Sequence, residues 1–266
     1  MIVIGLLTLH ADIIIYSFSL MPNHVHIILS GNGGACLKAF DYLRNKLSTR
    51  LKLDGYATLP DDYWFKLTPV DEPEQMKNNF IYVDRNAYER LICIPAGYPW
   101  SSSYLHFSLI GKMIRGHRAD SFSKRELERM TGSRTNIPPH WEFHATHGLL
   151  PSSFIDNSLF FRLFNNPKDY ESRLVKDYEA YVKVGKALDE PPEFSKIEIN
   201  DIVERLVLDL YPGRKLRQLS NDQKGRLAIL LMKNYNLKSF DIASAINVSE
   251  HIVGQWLRAK DYGNQK

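Results

Sequence analysis

Cysteine is nearly absent from this chain: Cys36 and Cys93 are its only two in 266 residues. With no CxxC spacing, they exclude a disulfide framework and a thiolate zinc cluster, so a reducing cytoplasm is the expected compartment. Positive charge is missing from the start, where Lys38 is the first Lys or Arg. The apolar opening therefore lacks the basic region of a signal peptide, and His10 and Asp12 interrupt it. No membrane partner is expected. Internal repeats and low-complexity tracts are lacking too.

What remains is an ordinary globular composition, 44% apolar and 24% charged, in a chain long enough for two domains. The net charge of +4 is unevenly placed. From Lys196 onward, 12 Lys/Arg stand against 8 Asp/Glu, while the preceding residues balance. That excess points the C-terminal part towards a polyanion.

The stretch Ser17-Phe-Ser-Leu-Met-Pro-Asn-His-Val-His-Ile-Ile-Leu-Ser30 reads as a buried strand carrying His24 and His26. Alternate side chains of a strand share a face, so both imidazoles project together and Val25 faces away. Two neutral imidazoles converging on one point make half of a divalent-metal site. The plainer alternative is a pair of half-buried polar residues on a sheet face.

A helix is expected over Cys36–Leu53, with Leu37, Phe40, Leu43, Leu47 and Leu51 at spacings of three and four. Arg44, Lys46, Arg50 and Lys52 occupy its other side, either simply solvated or tracking a phosphate backbone. Tyr63–Thr68 reads as a second strand. A further helix starts at Asp71-Glu72-Pro73-Glu74 and places Tyr82 and Asn86, four apart, on one face. Tyr98-Pro99-Trp100-Ser101-Ser102 follows as a loop. Residues 110–195 read as a largely polar, helical linker, clearest over Phe122–Met130 and Tyr170–Val182. His140, His144 and His147 read as loop or surface histidines.

The last segment reads as helix, short helix, tight turn and helix: Asp222–Tyr235, then Ser239–Ile246 with a serine cap, then Asn247-Val248, then Glu250–Lys260 capped by Ser249. With Gln255 and Arg258 on the last helix this is a helix-turn-helix pattern, for which Ser249, Gln255 and Arg258 are the candidate DNA contacts. The alternative is a small helical interaction module without nucleic acid.

Taken in order, Leu20-Met-Pro-Asn-His-Val-His26, Tyr82-x-x-x-Asn86 and Tyr98-Pro-Trp-Ser-Ser102 resemble the single-tyrosine HUH transposases, specifically the REP-associated tyrosine transposase branch. The resemblance covers roughly residues 10–105. It implies an α+β, ferredoxin-like antiparallel sheet with helices on one face (residues 1–109), ahead of the helical linker (110–195) and the all-α region ending in the helix-turn-helix (196–266) read above; that last domain resembles an accessory DNA-binding domain of some relatives. The resemblance further implies that His24, His26 and Asn86 bind Mg²⁺ or Mn²⁺, and that Tyr82 is the nucleophile. The products would be a 5′-phosphotyrosine and a free 3′-hydroxyl. The implied substrate is single-stranded DNA with hairpins, held by Arg44, Lys46 and Arg50 and stacked on Trp64 or Trp100, with duplex DNA met by the C-terminal domain.

The chain departs from that family in three ways. Ala87 follows Asn86 where relatives usually carry proline, and the strand at Tyr63–Thr68 is short. The third departure is that a strand and helix expected before the HxH strand are missing from the given sequence. A homodimer covering the exposed edge, an upstream start or a decayed copy would each account for the last. The competing function is a non-catalytic DNA-binding protein that acts through its helix-turn-helix. A core aromatic is the competing reading of Tyr82, supported by Phe80 and Ile81 beside it.

Overall fold

The run Ile13–Leu20 is dominated by β-branched and aromatic residues, and it forms an antiparallel hairpin with the residues that follow Pro22, so the stretch Ser17–Ser30 holds parts of two paired strands rather than one strand. In the computed structural model, α1 (Ile2–His10) leads into β1 (Ile14–Leu20) and β2 (Val25–Ser30), followed by α2 (Gly33–Leu53), α3 (Pro73–Glu89) and α4 (Leu109–Met113). Next come β3 (His117–Arg118), α5 (Lys124–Thr131), β4 (Glu142–His144), β5 (Gly148–Leu149), α6 (Ser158–Leu163) and α7 (Pro167–Lys176). The chain ends with α8 (Tyr178–Leu188), α9 (Lys196–Leu210), α10 (Asn221–Tyr235), α11 (Ser239–Ile246) and α12 (Glu250–Asp261). The structure describes residues 1–22, 24–59, 63–89, 95–176, 178–190 and 193–261. Asn23 of the HxH stretch and Cys93 lie outside them, as does the side chain of Lys260.

Two compact units result, Met1–Leu174 and Val175–Lys266. In the first, β1 pairs with β2 from Ile14↔Ser30 to Leu20↔Val25, with a bulge between Ile15 and Ser17. Residues directly opposite share a face, so Ile15, Phe18 and Leu20 join Leu29, Ile27 and Val25 on one side. Ser17 and Ser19 join Ile28 and His26 on the other. The bulge lets Ile15 and Phe18, three apart, point the same way. The apolar face packs on Ile4, Leu6 and Leu7 of α1, on Ala35, Ala39 and Leu43 of α2, and on Trp141, Phe143, Leu149 and Phe154. α1 approaches so closely that a Cβ on Gly5 would fall 2.5 Å from Leu149 Cδ2. The opposite face meets α3, where Ile28 clusters with Phe80, Ile81, Val83, Phe160, Phe164 and Leu174.

Helices thus cover both faces of the hairpin, not one. Among the described residues the sheets have two strands (β1-β2) and three (β3-β4-β5). The expected second strand at Tyr63–Thr68 is not formed. Its aromatics instead stack on α2, with Phe65 4.3 Å and Tyr63 5.8 Å from Phe40 between ring centroids, and Trp64 stays 66% exposed. High β-propensity without a partner edge makes no strand.

The outer edge of β1 is closed by the Tyr98–Ser103 segment. Leu20 N–H donates to Trp100 O (2.8 Å), Ser102 N–H to Phe18 O (3.0 Å), and Phe18 N–H to Ser102 Oγ (2.9 Å). Ser17 Oγ lies 2.9 Å from Ser102 Oγ, and Tyr98 Oη donates to Leu20 O at 2.6 Å. Further along the same edge, Asp156 N–H donates to Ile15 O (2.9 Å). Among the described residues, these contacts take up backbone groups along that edge that another strand would otherwise pair with.

Residues 110–195 are not a linker. Trp141, Phe143, Leu149, Phe160 and Phe164 are buried in the first unit, and α8 begins the second. The expected helix over Tyr170–Val182 is two, α7 and α8, on either side of Asp177, which lies outside the described residues. In the second unit Ile199, Ile202, Val203, Leu227, Leu231, Ile242, Ile246 and Val253 make one core. Capping boxes start α9 (Ser195/Glu198) and α10 (Ser220/Gln223). Ser239 is the first residue of α11 rather than its cap; Lys238 holds the cap position, and Ser239 Oγ donates to Glu250 Oε1 instead (2.7 Å). No helix among the described residues is long and apolar enough to cross a membrane.

Ser102 is fully buried and its hydroxyl closes the β1 edge, so Ser102→Ala leaves Phe18 N–H without a partner. Urea unfolding is expected to show a loss of about 1–3 kcal/mol. A change at the level of an exposed surface substitution would refute that role.

Candidate metal and nucleophile site

Hairpin geometry places the histidines. Met21 N–H donates to His24 O (2.9 Å), closing the turn, and β2 starts at Val25. His24 therefore stands at the mouth of the strand and His26 within it. Because Val25, Ile27 and Leu29 are drawn into the apolar core, His26 must face α3. The two imidazoles lie close, with centroids 4.8 Å apart and planes at 71°.

α3 brings the tyrosine. Tyr82 is 3% exposed, and its ring meets that of His26 edge-on, 5.2 Å between centroids at 85°. Asn86, 1% exposed, follows one turn later on the same helix face. Its Nδ2 donates to Tyr82 O (2.9 Å), with a longer contact to Val83 O (3.4 Å). The amide nitrogen is thereby tied to the helix, and Oδ1 is the atom with lone pairs to offer a cation. With Asn86 Oδ1 as a third donor, the two imidazoles would make a mixed nitrogen and oxygen set without thiolate. That suits Mn²⁺, which accepts both nitrogen and oxygen, better than Mg²⁺, which prefers oxygen throughout.

The competing tyrosine Tyr98 is committed to the β1 edge through its hydroxyl, and the side chain of Tyr88 lies outside the described residues. His144 Nδ1 accepts from the N–H groups of Thr146 and His147 (both 3.3 Å), which makes it a turn-forming residue. The structure thus gathers His24, His26 and Tyr82, with Asn86 on the tyrosine's own face.

The proposed basic surface is less coherent. Arg44 is exposed, Lys46 Nζ donates to Gly132 O (3.1 Å), and Arg50 pairs with Asp54 (2.8 Å). Six residues separate Arg44 from Arg50, which sets them about 120° apart around α2 rather than in one stripe. Trp100 is 51% exposed, as a stacking surface requires.

In the second unit, Asn247 adopts the left-handed conformation (φ 52°) between α11 and α12. Ser249 Oγ accepts from Ile252 N–H at 3.4 Å, as a cap does. Gln255 and Arg258 are exposed on α12, with Gln255 3.0 Å from His251.

Sequence reasoning missed two arrangements. One is the serine clamp on β1, whose residues were read only as a motif. The other joins Asp84, His106 and Tyr170 behind α3 and carries no local pattern at all. Compared with known proteins, the chain matches no family model, no curated protein and no solved structure.

If His24 and His26 supply the nitrogen donors, His26→Ala is expected to weaken Mn²⁺ binding at least tenfold in calorimetric titration. Val25→Ala, which alters the other face of the hairpin, should leave it unchanged. Equal Mn²⁺ affinity in wild type and His26→Ala would exclude the pair as ligands.

Proposed function

We propose that this protein is a metal-dependent DNA strand transferase of the single-tyrosine HUH type, cutting and rejoining single-stranded DNA beside hairpins. One observation carries the reading: rings from distant parts of the chain, His26 on β2 and Tyr82 on α3, meet at 5.2 Å, with His24 adjoining. On this reading the hairpin with α3 belongs to a ferredoxin-like catalytic layer, and the protein works on DNA in the cytoplasm.

A phenol titrating near 10 is a weak nucleophile at neutral pH. A divalent cation held by His24, His26 and Asn86 would polarise the scissile phosphate and offset charge on the leaving oxygen. Tyr82 Oη attacks phosphorus and gives up its proton, the bond to the 3′ oxygen breaks, and that oxygen takes up a proton to leave as the 3′-hydroxyl. The 5′-phosphate stays on Tyr82, so bond energy is kept for rejoining. The tie from Asn86 Nδ2 to Tyr82 O keeps ligand and nucleophile on one rigid turn. Trp100 offers a stacking surface for unpaired bases.

The test is a denaturing gel with end-labelled hairpin oligonucleotides. A Mn²⁺-dependent, denaturant-stable adduct is expected from the wild type, and none from Tyr82→Phe. An adduct that survives Tyr82→Phe would assign the nucleophile elsewhere; no wild-type adduct on any hairpin substrate would end the reading.

The C-terminal unit favours a second activity, duplex binding through α11 and α12. The left-handed Asn247 makes the tight turn this geometry needs, and α12 exposes Gln255 and Arg258. Should Tyr82 prove inert, this binding is what a non-catalytic DNA-binding protein would retain. Arg258→Ala is expected to weaken duplex affinity and reduce the slope of log K against log salt by about 1. An unchanged slope would remove α12 from the interface.

A further inference from the structure

α3 has two chemically different faces. Tyr82 and Asn86 lie about 40° apart around the helix, and Asp84, between them in sequence, lies about 160° from each. Asp84 is 1% exposed, and its Oδ2 accepts from His106 Nδ1 and from Tyr170 Oη, each at 2.7 Å. The three residues come from three places: α3, the turn after Ser103–Leu105, and α7.

Their surroundings are aromatic. His106 stacks on Phe160, 3.9 Å between centroids and 8° from parallel, while Phe80 and Tyr170 meet its ring at 80° and 77°. Asp84 Oδ1 and His106 Nε2 are both buried without a hydrogen-bond partner among the described residues. A stability role alone explains this poorly, because an apolar set of similar volume would pack here without stranding two polar atoms. What a buried polar network adds is uniqueness. Only one rotation of α3 puts a carboxylate on both donors, and a slip of one residue, about 100°, would present Val83 or Arg85 instead. Arg85, 2% exposed, adds a second restraint by donating to Leu174 O of α7.

We propose that Asp84, His106 and Tyr170 form a positioning network that fixes the rotation of α3 and so holds Tyr82 against the histidine pair. The inference rests on the strand-transferase reading. None of the three touches the reacting atoms; they act through the helix. In-line attack is sensitive to placement, and a displacement of 1 Å lowers rates roughly hundredfold.

The test measures the rate of adduct formation at saturating hairpin oligonucleotide and Mn²⁺, beside DNA affinity, Mn²⁺ affinity and thermal midpoint. Tyr170→Phe removes one donor and keeps the ring; it is expected to slow adduct formation about tenfold with both affinities unchanged. The apolar triple variant D84L/H106F/Y170F is expected to slow it about a hundredfold while keeping the wild-type midpoint. If the triple variant does not fold, Tyr170→Phe decides. Wild-type rates in Tyr170→Phe overturn the positioning role and leave the transferase reading standing. So does a rate loss that tracks a lowered midpoint and is recovered on cooling, which is the mark of simple destabilisation. No adduct from the wild type overturns both.

Discussion

The pairing register of the β1–β2 hairpin is the constraint on which the first unit depends. Strand side chains alternate with a period of two, so packing Val25, Ile27 and Leu29 against α1 and α2 leaves His26 and Ile28 no choice of side. A slip of one residue would drive His26 into an apolar core and expose Ile27 to α3. Burying an unpaired imidazole there costs on the order of 1–3 kcal/mol, besides the lost burial of each large apolar side chain. The hydrophobic effect on one face of the hairpin thereby aims the chemistry on the other.

α3 follows the same logic with polar groups. Phe80, Ile81 and Val83 give it adhesion, but apolar contacts tolerate small rotations. Asp84 and Arg85 do not, because each has donors or acceptors waiting at one position only. The hairpin is likewise pinned by hydroxyls rather than by area alone: Ser102 takes the place of a neighbouring strand along β1. In both cases apolar packing provides most of the stability and a few buried polar contacts select one geometry.

What the sequence made legible was local. The alternation around His24 and His26, the three-and-four spacing of α2, the acidic start of α3, the span of α10 and the serine before α12 each occupy one short window, and those helices formed close to their expected bounds. The failures share a cause too. Tyr63–Thr68 has strand composition, but a strand is made by a partner edge, which no window contains. Residues 110–174 read as polar on average, which hides Trp141, Phe143, Phe160 and Phe164; only the fold shows these aromatics as parts of buried clusters. Asp84, His106 and Tyr170 are unremarkable singly, and their partnership spans 86 residues of chain. The meeting of Tyr82 with His26 was reachable only through the ordered set of motifs.

The division of the chain bears on how the proposed activities separate. The histidine pair, Tyr82 and Asn86 all fall in the unit ending at Leu174, and Gln255 and Arg258 in the other. Each unit has its own buried core, so each set of side chains is held by packing that does not require the other's chemistry. Net charge does not follow that line: the first unit carries 19 Lys/Arg against 17 Asp/Glu and the second 15 against 13, and only within the second does the basic surplus gather beyond Lys196. On the strand-transferase reading, the first unit would select its substrate through short-range directional contacts: aromatic stacking, cation coordination and the placement of one phenol. A strand transferase needs those contacts, and a DNA-binding protein acting through α12 does not. The buried polar atoms that orient α3 would have a use on the first reading and none on the second.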